Sequence, residues 1–219
     1  MSQGFGASAK PRERAVPELP DPEFWARRPS RCVLIFLDFD GVLHPLGPAS
    51  RRFERAPQLL AALRATERSL APCSIALSTS WRFHPRERLA AELDRAAPGL
   101  SAFLEGRAGS RSEPGSPLGA RGSQAAAYLA ERPGPEPLAA ICLDDQRSLF
   151  RAADQNAPSP RDWLLLCDPA RGLPAARQLA RALAERSQAG SELLAAAREA
   201  RLGGQPDAPS GGSGPGAFR

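Results

Sequence analysis

The chain has 219 residues, enough for one ordinary domain with tails and cramped for two. Its 29 Lys and Arg against 24 Asp and Glu leave a net charge of +5, and because Lys10 is the only lysine the cations are almost all arginine. No stretch approaches the roughly 18 consecutive apolar residues of a membrane helix, and the N-terminal MSQGFGASAKPRER lacks the apolar core of a secretory signal; together these predict a soluble, cytoplasmic chain with no membrane partner.

Residues 1–30 are rich in Pro and Gly and read as a mostly disordered leader. The run 32–37 (CVLIFL) is short and apolar throughout, as expected of a strand covered on both faces. A helix follows over 57–69 with Pro57 in its first turn, then a second apolar strand at 73–77 and a helix over 85–96. Residues 106–119 form a loop rich in Gly, Pro and Ser, after which a helix over 123–131 leads into a strand at 138–143. A second loop of that kind covers 153–160, a strand 163–167, and a helix 174–186. Residues 191–202 prolong this last helix after a break near Gly190, and 203–219 read as a disordered tail. Strand and helix alternate across 31–190, which predicts one α/β domain with a doubly wound parallel sheet. Cys32, Cys73, Cys142 and Cys167 each sit in or beside an apolar run, with neither CxxC spacing nor a neighbouring His, and read as buried free thiols.

Carboxylates are depleted in central strands, yet Asp38 and Asp40 close the first apolar run in LDFDGVLHP. Ligands of open α/β sheets bind beyond the carboxyl ends of the strands. At i and i+2 in extended chain the two acids point the same way, and Gly41 permits the sharp turn that follows. Two such acids repel unless a cation or a shared proton relieves them; Mg²⁺, held by one or two carboxylates and substrate phosphate oxygens, is the economical answer. A calcium loop of the EF-hand kind fails, because counting from Asp38 puts Val42, Leu43 and Ala49 where an oxygen ligand, Gly and Glu are required. A DxDG turn that merely caps a strand is the competing reading.

The next strand ends in Ser78, Thr79 and Ser80, hydroxyls of the kind a phosphoryl oxygen requires. The strand AAICL ends in Asp144 and Asp145. Three strands thus end in an acid pair, a hydroxyl cluster and an acid pair.

This order resembles the haloacid dehalogenase-like (HAD) superfamily, with LDFDGVL as first motif, STS as second and LDD as fourth, over about residues 31–185. The resemblance implies a Rossmann-like core and a two-step phosphoryl transfer: Asp38 as nucleophile, Asp40 as acid and then base, Mg²⁺ on Asp38, the backbone carbonyl of Asp40 and Asp144, and Asp145 as a supporting or alternate ligand. Thr79 would donate to the phosphoryl group, with Ser78 as runner-up and Ser80 and Arg82 as further substrate-binding residues. An Asp two residues after the nucleophile favours phosphate chemistry over dehalogenation, which needs no acid on its leaving group. The superfamily's third motif is a lysine or arginine; Lys10 lies in the leader, so an arginine must serve, and Arg121 at the start of a helix has the expected place, with Arg107 and Arg111 as substitutes. The run TSWR, the helix-opening RG, LDD and DPARGL look like the small HAD domain of multidomain RNA-repair proteins and standalone bacterial relatives, which aligns Asp168, Gly172 and Leu173 with a late turn of that group.

His44 and His84 are read as loop and helix-start residues before Pro45 and Pro85, with a catalytic role as the functional alternative, and Trp81 as a core residue beside a snorkelling Arg82, with stacking on a base or substrate as theirs. Neither gap between motifs is long enough for a separate cap domain, so the site is expected to be open and to admit a phosphorylated metabolite or nucleic-acid end, with no obligate protein partner. A catalytically weak phosphate-binding or interaction module is the alternative. Binding driven by basic charge alone is disfavoured, because the bases alternate with acids along the helices.

Overall fold

A computed structural model describes residues 31–79, 81, 84–109, 119–150, 163–188 and 192–203. The expected leader, the loop at 153–160, most of that at 106–119, and all but Gly203 of the expected tail lie outside these residues.

Five parallel strands form one sheet: β1 Val33–Leu37, β2 Cys73–Leu77, β3 Leu104–Arg107, β4 Ala139–Asp144 and β5 Leu164–Leu166, in the order β3-β2-β1-β4-β5. Helices α1 Ala56–Ser69, α2 Arg86–Ala96, α3 Gly119–Glu131, α4 Ala176–Gln188 and α5 Glu192–Gly203 cover both faces. The chain is a doubly wound α/β domain, as its alternation predicts.

The period of two in β1 divides the core. Val33, Ile35 and Leu37 pack with Leu59 and Leu63 of α1, Leu89 and Leu93 of α2, and Leu179 and Leu183 of α4. Leu34 and Phe36 face Ala125, Tyr128 and Leu129 of α3 and Leu193, Leu194 and Ala197 of α5. All five β1 residues are fully buried, and each such side chain contributes about 1.5–3 kcal/mol on leaving water.

Two expectations are corrected. The segment after α2 contains a strand, β3, whose LEGR sequence carries no apolar run; Gly106 and Arg107, expected in a loop, belong to it. Its Glu105 is fully buried because Arg132 embraces it with Nε 2.7 Å and Nη2 3.1 Å from the two carboxylate oxygens, and Tyr128 donates its hydroxyl at 3.0 Å. Nor does α5 prolong α4. It packs on α3 across the opposite face, where Arg201 donates to the carbonyls of Leu129 and Ala130 at the end of α3, capping them. The four cysteines are buried and none is in a disulfide.

Candidate active site

Strand register builds the site. Leu37 pairs with Leu77 on one side and Leu143 on the other, and the ladder continues one step further as Asp38 N–H donates to Leu143 and Ser78 N–H to Leu37. Asp38, Ser78 and Asp144 therefore stand in one row at the carboxyl edge. The row straddles β1 and β4, where the strand order reverses, the place open α/β sheets reserve for ligands.

Asp38 and Asp144 are almost wholly buried. Asp38 Oδ1 accepts the Phe39 N–H at 2.8 Å. Burial pushes its carboxyl above the ordinary range, while Arg121, the Phe39 N–H and the Thr79 hydroxyl pull the other way. Asp144 accepts the Gln146 N–H at 2.8 Å, and burial, then the nearby Asp38 charge, push it up to about 7. Asp145 is raised mainly by burial and also by the Asp40 charge.

Arg121 lies in the first turn of α3 and reaches over this row. Nη2 is 3.8 Å from Asp38, Nε is 3.8 Å from Asp144, and Nη1 donates to Ser78 Oγ at 3.3 Å. Arg107 instead donates to the His84 carbonyl at 2.9 Å, and Arg111 lies outside the described residues, as do Ser80 and Arg82. Thr79 is fully buried, and its Oγ1 also accepts the Trp81 N–H at 3.4 Å.

The donor set fits a hard divalent ion. Oxygens of Asp38, Asp144 and Asp145 lie within 4.8 Å of one another, and Asp145 Oδ1 is buried without a hydrogen-bond partner among the described residues. Oxygen-only ligands and unrelieved like charge are what Mg²⁺ requires and compensates. Gly41, at φ +73°, makes the cluster possible, since a Cβ there would overlap the Asp145 carboxylate.

Asp40 stands apart, its side chain turned to two rings that the sequence alone reads as loop and core residues. His44 Nε2 is 2.6 Å from Oδ1, and Trp81 Nε1 donates to Oδ2 at 3.0 Å. Trp81 does pack on the core, as expected, against Phe39 and Phe53. The signal available in the sequence was position alone: His44 ends the turn that Asp40 opens, and Trp81 follows the hydroxyl cluster of the adjacent strand.

The late turn buttresses the first motif. Gly172, at φ +69°, lets the chain pass so close to Val42 that a Cβ would sit 2.7 Å from its carbonyl oxygen. Leu173 N–H donates to that same oxygen, and Leu46 N–H to Pro169. Asp168 closes the turn by accepting the Ala170 N–H at 2.9 Å.

Residues 34–177, from β1 into α4, match the model of the family described as "HAD domain in Swiss Army Knife RNA repair proteins". The chain belongs to this family. It is thus a HAD-like protein from a family of hydrolase type, and the matched span holds all the strand-end turns just described. No curated protein and no solved structure gives a match. Among the described residues no helix is long and apolar enough to cross a membrane.

Proposed function

We propose that the chain is a Mg²⁺-dependent phosphomonoester hydrolase working through a phosphorylated Asp38. The observation that carries this reading is the row at the carboxyl edge: one buried carboxylate, Asp38, flanked by Arg121 and by the two further acids, with Asp40 two residues on.

Asp38, Asp144, Asp145 and the Asp40 carbonyl would hold the ion, which when bound offsets negative charge on the phosphoryl oxygens. Thr79 holds the nucleophile through its hydroxyl, and Ser78 and Arg121 offer donors to the phosphoryl group. Asp38 attacks phosphorus as the bond to the leaving oxygen breaks, and Asp40 gives that oxygen its proton. Asp40 then takes a proton from the water that displaces Asp38 from phosphorus.

The described residues of both segments between motifs pack on the sheet, α1 in the first and α2 with β3 in the second, which supports an open mouth. A groove of about 680 Å³ is lined by Phe53 and by Arg51, Arg52 and Arg95 together with Glu54 and Glu92. The family's association with RNA repair favours a phosphate at a nucleic-acid end over a small metabolite.

A screen with Mg²⁺ over nucleotides, sugar phosphates, phosphopeptides and 3′-phosphorylated oligonucleotides tests the reading, with Asp38→Asn as control. Turnover of at least one class, lost in the control, is expected. Absence of turnover on every class would replace the enzyme with a phosphate-binding module.

A further inference from the structure

The geometry points to His44 and Trp81 as positioning residues that clamp the Asp40 carboxylate, one ring N–H on each oxygen, so that its proton is delivered along one direction. This rests on the phosphohydrolase reading and adds to it two residues outside the acid, hydroxyl and arginine set.

Asp40 is 41 % exposed in its side chain, and a carboxylate so exposed samples several rotamers unless something holds it. Here two donors arrive from different strand-end turns, His44 Nε2 at 2.6 Å and Trp81 Nε1 at 3.0 Å, on opposite oxygens. His44 Nδ1 is buried without a partner among the described residues, so Nε2 is the nitrogen whose proton meets the carboxylate.

The donors are themselves fixed. The His44 ring meets Phe53 and Trp81 edge-on with centroids 5.6 Å apart in each case, and Trp81 also meets Phe39 at 6.1 Å and Phe53 at 5.8 Å. The Arg52 guanidinium lies 4.0 Å over the indole and is tied to Glu92 at 3.1 Å. Phe53, the centre of this box, holds φ at +55°, a conformation non-glycine residues adopt only where the surroundings over-determine it. An aromatic box built around one half-exposed acid is more than core packing needs; it costs backbone strain and yields a proton donor with one orientation.

An acid of fixed direction matters in proportion to the basicity of the leaving oxygen. An alkoxide must be protonated as its bond to phosphorus breaks, whereas para-nitrophenolate departs without help. Trp81→Phe keeps the ring and removes the N–H; His44→Leu removes the donor, and His44→Gln restores an N–H near the Nε2 position. On an alkyl phosphate such as glycerol phosphate, kcat/KM, which reports the steps up to phosphorylation of Asp38 and not the later hydrolysis, should fall ~10–100-fold in Trp81→Phe and His44→Leu, and by less than ~3-fold on para-nitrophenyl phosphate. His44→Gln should recover most of the loss. Equal effects on both substrates, or none on either, would overturn the proposal.

A second readout is independent of turnover. The chain has three tryptophans, and the indole ¹⁵N–¹H resonance missing from Trp81→Phe should be the one that shifts in Asp40→Asn. If it does not shift, the clamp is absent whatever the activity. If it shifts in a protein with no phosphatase turnover, the phosphohydrolase reading fails, and the catalytic role given to the clamp with it.

Discussion

Arg121 stands 3.8 Å from Asp38, near enough to favour its ionised form and too far for a direct hydrogen bond. The same guanidinium is 3.8 Å from Asp144. A fork suspended between two carboxylates in this way has donors to spare for a phosphoryl oxygen entering the row.

Arg121→Ala should therefore lower kcat by about 10²–10³-fold, the usual loss on removing one donor to a developing charge. Arg121→Lys should recover part of it, since charge returns and the fork does not. Steady-state kinetics on the best substrate of the screen measures both, with melting temperatures showing that the variants remain folded.

Metal binding should depend on pH with a definite sign. Asp144 is raised from 3.8 to about 7 by burial and the Asp38 charge. Between those values the folded, metal-free chain holds a proton that the unfolded chain has lost, so stability falls as pH rises through this window and levels off above it. A cation removes the penalty and competes with that proton. Mg²⁺ should accordingly raise Tm more at pH 8 than at pH 5 in thermal melts; an equal rise at both would contradict the site.

Gly41→Ala tests the close approach to Asp145. The variant must place a Cβ at φ +73° and against that carboxylate, so Asp145 has to move. The Mg²⁺ concentration giving half the maximal thermal shift should rise ~10-fold or more, in line with other losses of support around metal ligands.

The pair Glu105 and Arg132 concerns stability alone. It sits by Cys32, at the start of β1, with Asp38 at the other end of that strand. Arg132→Met leaves Glu105 buried without its cation and should cost about 3–5 kcal/mol. Denaturant melts would show the loss, while kcat of the folded protein at low temperature should stay unchanged.

Much of this is legible in the amino-acid sequence alone. Four of the five strands announce themselves as short apolar runs, three of them central and apolar on both faces and β5 at the edge, and the acids that end β1 and β4 stand out against that background. Arg121 could be placed from its helix start, even though α3 begins four residues earlier than its apolar pattern. β3 could not be read, because LEGR buries its charge with a partner 27 residues away. The rings on Asp40 were hidden for a related reason: Trp81 is 41 residues from Asp40, and only the β1–β2 register brings their turns together. The turn of α5 onto α3 likewise depends on carbonyls that helix α3 leaves for Arg201.

The central claim is that Asp38 takes up the phosphoryl group. Acid quenching during turnover of a ³²P-labelled substrate, followed by peptide mapping, tests it most directly. Label should appear on the peptide containing Asp38, be released by hydroxylamine, and be absent from Asp38→Asn. Turnover at the parent's rate in Asp38→Asn, or full turnover with no label on that peptide, would contradict the account.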